Sequence, residues 1–144
     1  MKKVSDILSR KGSKIISVLP QTRVIDALKV MADKNIGSVL VMEENKYFGL
    51  MTERDYSRKI VLKERSSTDT RVNEIMSEQV PTVSPSDTID ECMNLMSDKN
   101  IRYLPVMEAG NVVGIVSISD VVKEMISSQQ ETISSLKDYL YANS

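Results

Sequence analysis

GLMTERD, from Gly49 to Asp55, and GIVSISD, from Gly114 to Asp120, decide how this chain is read. In each stretch a glycine precedes two apolar residues, then a hydroxyl (Thr52, Ser117), and three positions further on an aspartate (Asp55, Asp120). The pattern predicts a buried strand running into the first turn of a helix. A hydroxyl and a carboxylate at that spacing meet at the helix mouth, where unpaired backbone N–H groups favour anions. The same spacing is close to a capping box, so each copy by itself also has a purely structural reading.

The two copies belong to a longer repeat. An offset of 65 residues carries Gly49 onto Gly114 and, without a gap, Val18 onto Val83. Of the 38 positions from Val18 to Asp55, 12 are then identical, where chance gives about two or three. Asp33-Lys34-Asn35-Ile36 falls on Asp98-Lys99-Asn100-Ile101, and Val41-Met42-Glu43 on Val106-Met107-Glu108. Each unit starts with a short helix (Val4 to Leu8, Val72 to Met76), followed by a brief strand around Ile16 and Val18, or Val83, that Pro20 or Pro85 stops. Thr22 and Asp87 are the expected caps of the next helix. There Val24, Ala27, Leu28 and Met31, matched by Ile89, Cys92, Met93 and Met96, form a buried stripe. A hairpin follows, Ser38 to Met42 or Tyr103 to Met107 with polar turns at Glu43 to Lys46 and Glu108 to Asn111. It ends in the opening motif and its helix.

The fold class is therefore α/β (α+β): two βαββα repeats, each about 60 residues and marginal for an independent core. The repeats are expected to pack pseudo-symmetrically through their sheets. Residues 1-68 form the first repeat with its N-terminal helix and linker, 69-126 the second, and 127-144 a C-terminal helix for packing or dimerisation. Lys63 to Arg71 reads as a polar linker. In the last segment Met125, Ile133, Leu136, Tyr139 and Leu140 form an irregular apolar face, broken at Ser127 to Gln130, that needs a partner surface.

Composition narrows the chemistry. With 19 basic and 20 acidic residues, the chain lacks the basic excess of a nucleic-acid or membrane binder. No run is long enough to span a bilayer, and MKKVSDILSR lacks the apolar core of a secretory signal, so a cytoplasmic protein is expected. The chain has no histidine and a single cysteine, Cys92. This removes Ser-His and Cys-His nucleophiles, disulfides and cysteine zinc sites. Cys92 replaces Ala27 on the core stripe and reads as a core thiol. Neither a Walker pattern nor GxGxxG is present. No enzymatic function is expected.

A carboxylate can accept both hydrogens of a vicinal diol such as a ribose offers, and Arg54 and Arg58 near Asp55 add bidentate phosphate donors. The second repeat has Ser119 in place of Arg54, so the two motifs are chemically unequal and the first is the more phosphate-seeking.

The doubled unit, the two motifs and the strand Tyr103-Leu104-Pro105-Val106 resemble a pair of CBS domains, as found in small stand-alone CBS-pair proteins, over nearly the whole chain. The resemblance implies a disk-like module with clefts between the repeats that bind an adenosyl ligand: AMP first, then NAD or ATP, with ADP and S-adenosylmethionine as further members of the class. It implicates Asp55 and Thr52 in one cleft and Asp120 and Ser117 in the other, as ribose and phosphate partners. Ile15, Ile16, Val80 and Pro81 would surround the adenine, with Ile36, Gly37, Arg102 and Tyr103 contributing from the facing repeat. Leu40, where the second repeat has Pro105, departs from the pattern. The implied role is a regulatory, energy-sensing homodimer that signals to a separate, unidentified protein, with no catalytic cofactor. The alternative is a ligand-free interaction module whose aspartates only cap helices.

Overall fold

A computed structural model describes residues 1–12 and 14–142. The elements run α1 (Val4–Lys11), β1 (Ser17–Val18), α2 (Val24–Lys34), β2 (Ser38–Glu43), β3 (Lys46–Thr52) and α3 (Glu53–Tyr56). The last continues as a π turn, Ser57–Val61. After a 3-10 turn, Val72–Glu74, come α4 (Ile89–Lys99), β4 (Tyr103–Glu108), β5 (Asn111–Ser117) and α5 (Ile118–Ala142). Strand β2 pairs in parallel with β1 and antiparallel with β3, and β4 pairs with β5.

The chain divides into two compact units. One holds Lys14–Pro81 with Ala109–Val113, the other Met1–Ser13, Thr82–Glu108 and Gly114–Ser144. Packing thus regroups the linear repeats. The segment before the second repeat completes the core of the first: Val72 and Ile75 join Val18, Val24, Ala27, Met31, Val39, Val41 and Met51. Helix α1 joins the second repeat in the same way. The N–H groups of Val72 and Asn73 donate to the carbonyls of Thr22 and Pro20, and those of Val4 and Ser5 donate to Asp87 and Pro85. Thr22 and Pro20 lie one repeat offset before Asp87 and Pro85. A unit of this size needs the added apolar surface to complete its core.

Local chemistry sets the element ends. Asn35 and Asn100 occupy the left-handed conformation (φ 53° for each) that closes α2 and α4, which explains why Asn recurs in the repeated Asp-Lys-Asn-Ile run. Thr22 and Asp87 do not cap these helices. Thr22 Oγ1 accepts from Leu19 N and Asp87 Oδ2 from Ser84 N, fixing the preceding turns instead. The cap of α4 is Thr88, one residue later, in a reciprocal box with Glu91. Helix α2 is preceded at its N-cap by Arg23, which makes no side-chain cap. The carbonyls of Ser67 and Thr70 take the N–H groups of Ile25 and Val24 instead. The polar stretch expected to be only a linker therefore caps α2, and Thr70 is buried there.

Leu40 and Pro105 account for the unequal first strands. Leu40 N donates to Ile16 O, so β1 forms. Pro105 has no N–H to give, and the pairing of Val83 with Val106 shrinks to one isolated bridge. The hairpin turns use Glu44-Asn45 and Ala109-Gly110, all at positive φ, one residue earlier than Gly110-Asn111 suggested. Cys92 is fully buried on the α4 stripe. Burial, then the charges of Asp87 and Glu91, push its thiol up to about 11, as expected of an inert core thiol.

Candidate functional site

Both motifs form as read. In each, a strand ends on the hydroxyl residue and the helix starts at the next position. The first helical N–H is held from the turn before the first strand of the hairpin: Glu53 N donates to Gly37 O, and Ile118 N to Arg102 O. Gly37 and Arg102 are thereby fixed beside the two helix mouths.

The hydroxyl and carboxylate then cap each other. Asp55 N donates to Thr52 Oγ1 (3.0 Å) while Thr52 N donates to Asp55 Oδ2 (3.0 Å). Asp120 N donates to Ser117 Oγ (3.2 Å) while Ser117 N donates to Asp120 Oδ2 (2.8 Å). This is the capping box foreseen as the structural reading.

Beyond the cap the motifs differ. The Asp55 carboxylate is buried and saturated. Oδ2 also accepts from Thr52 Oγ1 (3.1 Å), and Oδ1 accepts from Ser77 Oγ (2.8 Å) and pairs with Lys59 Nζ (3.0 Å). Lys59 donates as well to Ile75 O (2.8 Å). At Asp120 the Ser117 N–H and Lys11 Nζ (2.8 Å) both fall on Oδ2. These bonds leave Oδ1 of Asp120 open, while the Ser117 hydroxyl accepts from Asp120 N and helps hold the carboxylate charged. Burial pushes the Asp120 carboxyl up, but the Lys11 ammonium and the Ser117 N–H outweigh it and hold the group below the ordinary carboxylate range.

The two cations come from different places. Lys59 lies one turn after Asp55 on the same helix, a spacing visible in sequence. One repeat later stands Glu124, which is buried and paired with Arg10 and Lys2. Lys11 arrives from α1, and its Nζ also donates to Ile115 O. In the other unit the corresponding place is taken by backbone bonds between Leu50 and Ser77 (3.0 and 2.8 Å). Neither Lys11 nor Ser77 was identifiable as a neighbour of the motifs, because both come from segments outside the repeat they pack on.

The remaining candidates divide between the units. Ile15, Ile16, Ile36, Gly37, Arg54, Arg58, Val80 and Pro81 share the unit of Thr52 and Asp55. Arg102, Tyr103 and Ser119 share the unit of Ser117 and Asp120. Ile15 and Arg58 are exposed, while Ile16, Ile36, Val80, Pro81 and Tyr103 are half-buried. No group of three or more acidic or cysteine side chains suited to a metal occurs among the described residues. No described helix is long and apolar enough to cross a membrane.

Paired α/β repeats, each carrying a capped Thr/Ser–Asp motif after its last strand, define a class of doubled regulatory domain. The CBS domain family matches residues 4–62 and 72–127, and the chain belongs to that family as a CBS domain pair. It is 35% identical to the mitochondrial CBS domain-containing protein CBSX3 of Arabidopsis thaliana, over 95% of this chain and 71% of the relative. A solved protein with CBS domains from Burkholderia ambifaria is 46% identical at a TM-score of 0.85, covering 89% of this chain and 96% of that one. The CBS domain pair of protein MJ0100, solved with 5′-methylthioadenosine and S-adenosyl-L-methionine, is 25% identical at a TM-score of 0.77, covering 89% and 98%.

Proposed function

We propose that the protein is a non-catalytic sensor that binds an adenosyl ligand at its Thr/Ser–Asp motifs and acts as a cytoplasmic homodimer on a separate protein. AMP is the first candidate, then NAD or ATP. The observation that carries the reading is the open Oδ1 of Asp120 at the second motif, since both Lys11 Nζ and Ser117 N fall on Oδ2. Asp120 Oδ1 can accept from a ribose diol, and the Ser117 hydroxyl can donate to a phosphate oxygen. The MJ0100 pair, with its two adenosyl compounds, supports the ligand class.

At the first motif a ligand must displace Ser77 or Lys59 before Asp55 can take a diol. Arg54 and Arg58 serve phosphate there. Ile15, Ile16, Val80 and Pro81 supply apolar contact for the base, with Ile36 and Gly37 from the same unit, while Arg102 and Tyr103 serve the second motif in theirs. The second motif therefore fills first.

A thermal-shift screen against AMP, ADP, ATP, NAD and S-adenosylmethionine tests the reading. A ligand at about 100 times its Kd stabilises by about 2.7 kcal/mol, several degrees for this size. The shift is expected to vanish in Asp120→Ala and persist, reduced, in Asp55→Ala. No shift with any ligand leaves the second reading, an interaction module with purely structural aspartates, which the complete capping boxes favour.

A further inference from the structure

Helix α5 runs from Ile118 to Ala142, yet its own unit buries only its beginning, with Lys2 pairing to Glu131 further along. Val121 and Glu124 are buried, Ser127 and Ser128 half-buried, and every residue from Gln129 to Ala142 is exposed. So long a helix is marginal in water without apolar contact. Its exposed apolar residues are not irregular. Val122, Ile126, Ile133, Leu136 and Leu140 fall, with Gln129 between them, at alternating steps of four and three: a heptad seam. Their exposures run from 39% at Val122 through 49%, 53% and 58% to 65% at Leu140. On the heptad, Val121, Glu124 and Ser128 occupy the side away from this seam, so packing onto the unit leaves the seam open, most fully toward Leu140. Off the seam, Ser127, Ser134, Ser135, Glu131 and Asp138 are polar, while Tyr139 and Tyr141 are exposed on its flanks.

We propose that this seam pairs with the same seam of a second copy, as a parallel two-stranded coiled coil from Val122 to Leu140 with Gln129 facing Gln129. The surface is self-complementary, and Ile133 with Leu136 at the two core positions favours two strands. A parallel register lets the two Gln129 amides bond each other, whereas an antiparallel one sets each against apolar side chains and leaves it unsatisfied. The five apolar residues expose about 500 Å² per copy, so pairing buries about 1,000 Å² before the flanks are counted, the size a specific interface needs. The pairing rests on the homodimer part of the proposed function and not on nucleotide binding.

Sedimentation of the full chain tests it. The wild type should run at twice 16.2 kDa. Ile133→Glu with Leu136→Glu should raise the dimer dissociation constant at least 100-fold, with circular dichroism losing no more than the helical signal of residues 129–142. Gln129→Cys should cross-link under mild oxidation, with wild-type Cys92 buried as the control. A dimer that survives the double substitution overturns the seam while leaving the homodimer standing. A monomeric wild type overturns both, and if it then binds anionic vesicles the face belongs to a lipid surface. Failure of Gln129→Cys to cross-link a wild-type-like dimer overturns the register.

Discussion

Truncating the two motif aspartates should have unequal consequences for stability, and the inequality follows from their surroundings. The Asp55 side chain is 7% exposed and accepts from Thr52 N, Thr52 Oγ1 and Ser77 Oγ besides its pair with Lys59. Asp55→Ala strands a part-buried Thr52 N–H, which as a lost cap costs about 1 kcal/mol. It also removes hydrogen bonds to a buried charge, worth about 1.5–3 kcal/mol. Lys59, 43% exposed and still bonded to Ile75 O, adds only about 0.5 kcal/mol after solvent screening. Taking the lower end of each, the expected loss is about 3 kcal/mol. Asp120 is 18% exposed, with one cap bond and a lysine that is 36% exposed, so Asp120→Ala should cost about 1.5 kcal/mol. Urea unfolding without ligand measures both. At a slope of about 2 kcal/mol/M the midpoints should fall by about 1.5 M and 0.75 M. Asp55→Asn keeps an acceptor for Thr52 N but turns an amide toward Lys59, and should lie between wild type and Asp55→Ala. Equal losses at the two sites, or a loss under about 1 kcal/mol at Asp55, would refute the reasoning.

The glycines that open the motifs should also respond unequally. A Cβ at Gly49 would meet the backbone oxygen of Ser77 at 2.7 Å, whereas one at Gly114 would meet the flexible end of Leu8 at 2.8 Å. Gly49→Ala should therefore cost about 2–3 kcal/mol in denaturant unfolding and Gly114→Ala under about 1. Acid should act through Asp120. Its folded-state pKa is lowered, so its contribution is present above the unfolded value of about 4 and is lost as pH falls through the folded one. Lys11→Met should flatten the stability-pH curve in that acid range and leave it unchanged in shape near pH 7.

Much of this was legible in the chain, and for identifiable reasons. The 65-residue offset put Gly49 on Gly114 and Asp55 on Asp120, and the strand, turn and helix around each formed as the local pattern required. The α2 and α4 stripes were readable because helical periodicity records burial directly. What escaped was long-range. Nothing local says that α1 completes the second repeat or that Val72 and Ile75 complete the first, so Lys11 and Ser77 were absent from the site. The caps slipped by a residue where the turn before the helix claimed Thr22 and Asp87. The last segment looked irregular because Gln129 interrupts its seam, and the spacing becomes plain only once α5 is one continuous helix.

The most direct test of the central claim is calorimetric titration of the wild-type chain with AMP and with 2′,3′-dideoxy-AMP. If a motif carboxylate grips the ribose diol, removing both hydroxyls leaves that carboxylate without its partners and should weaken binding at least 100-fold, about 2.7 kcal/mol or more. Equal affinity for the two nucleotides would contradict the account and return Asp55 and Asp120 to the role of helix caps alone.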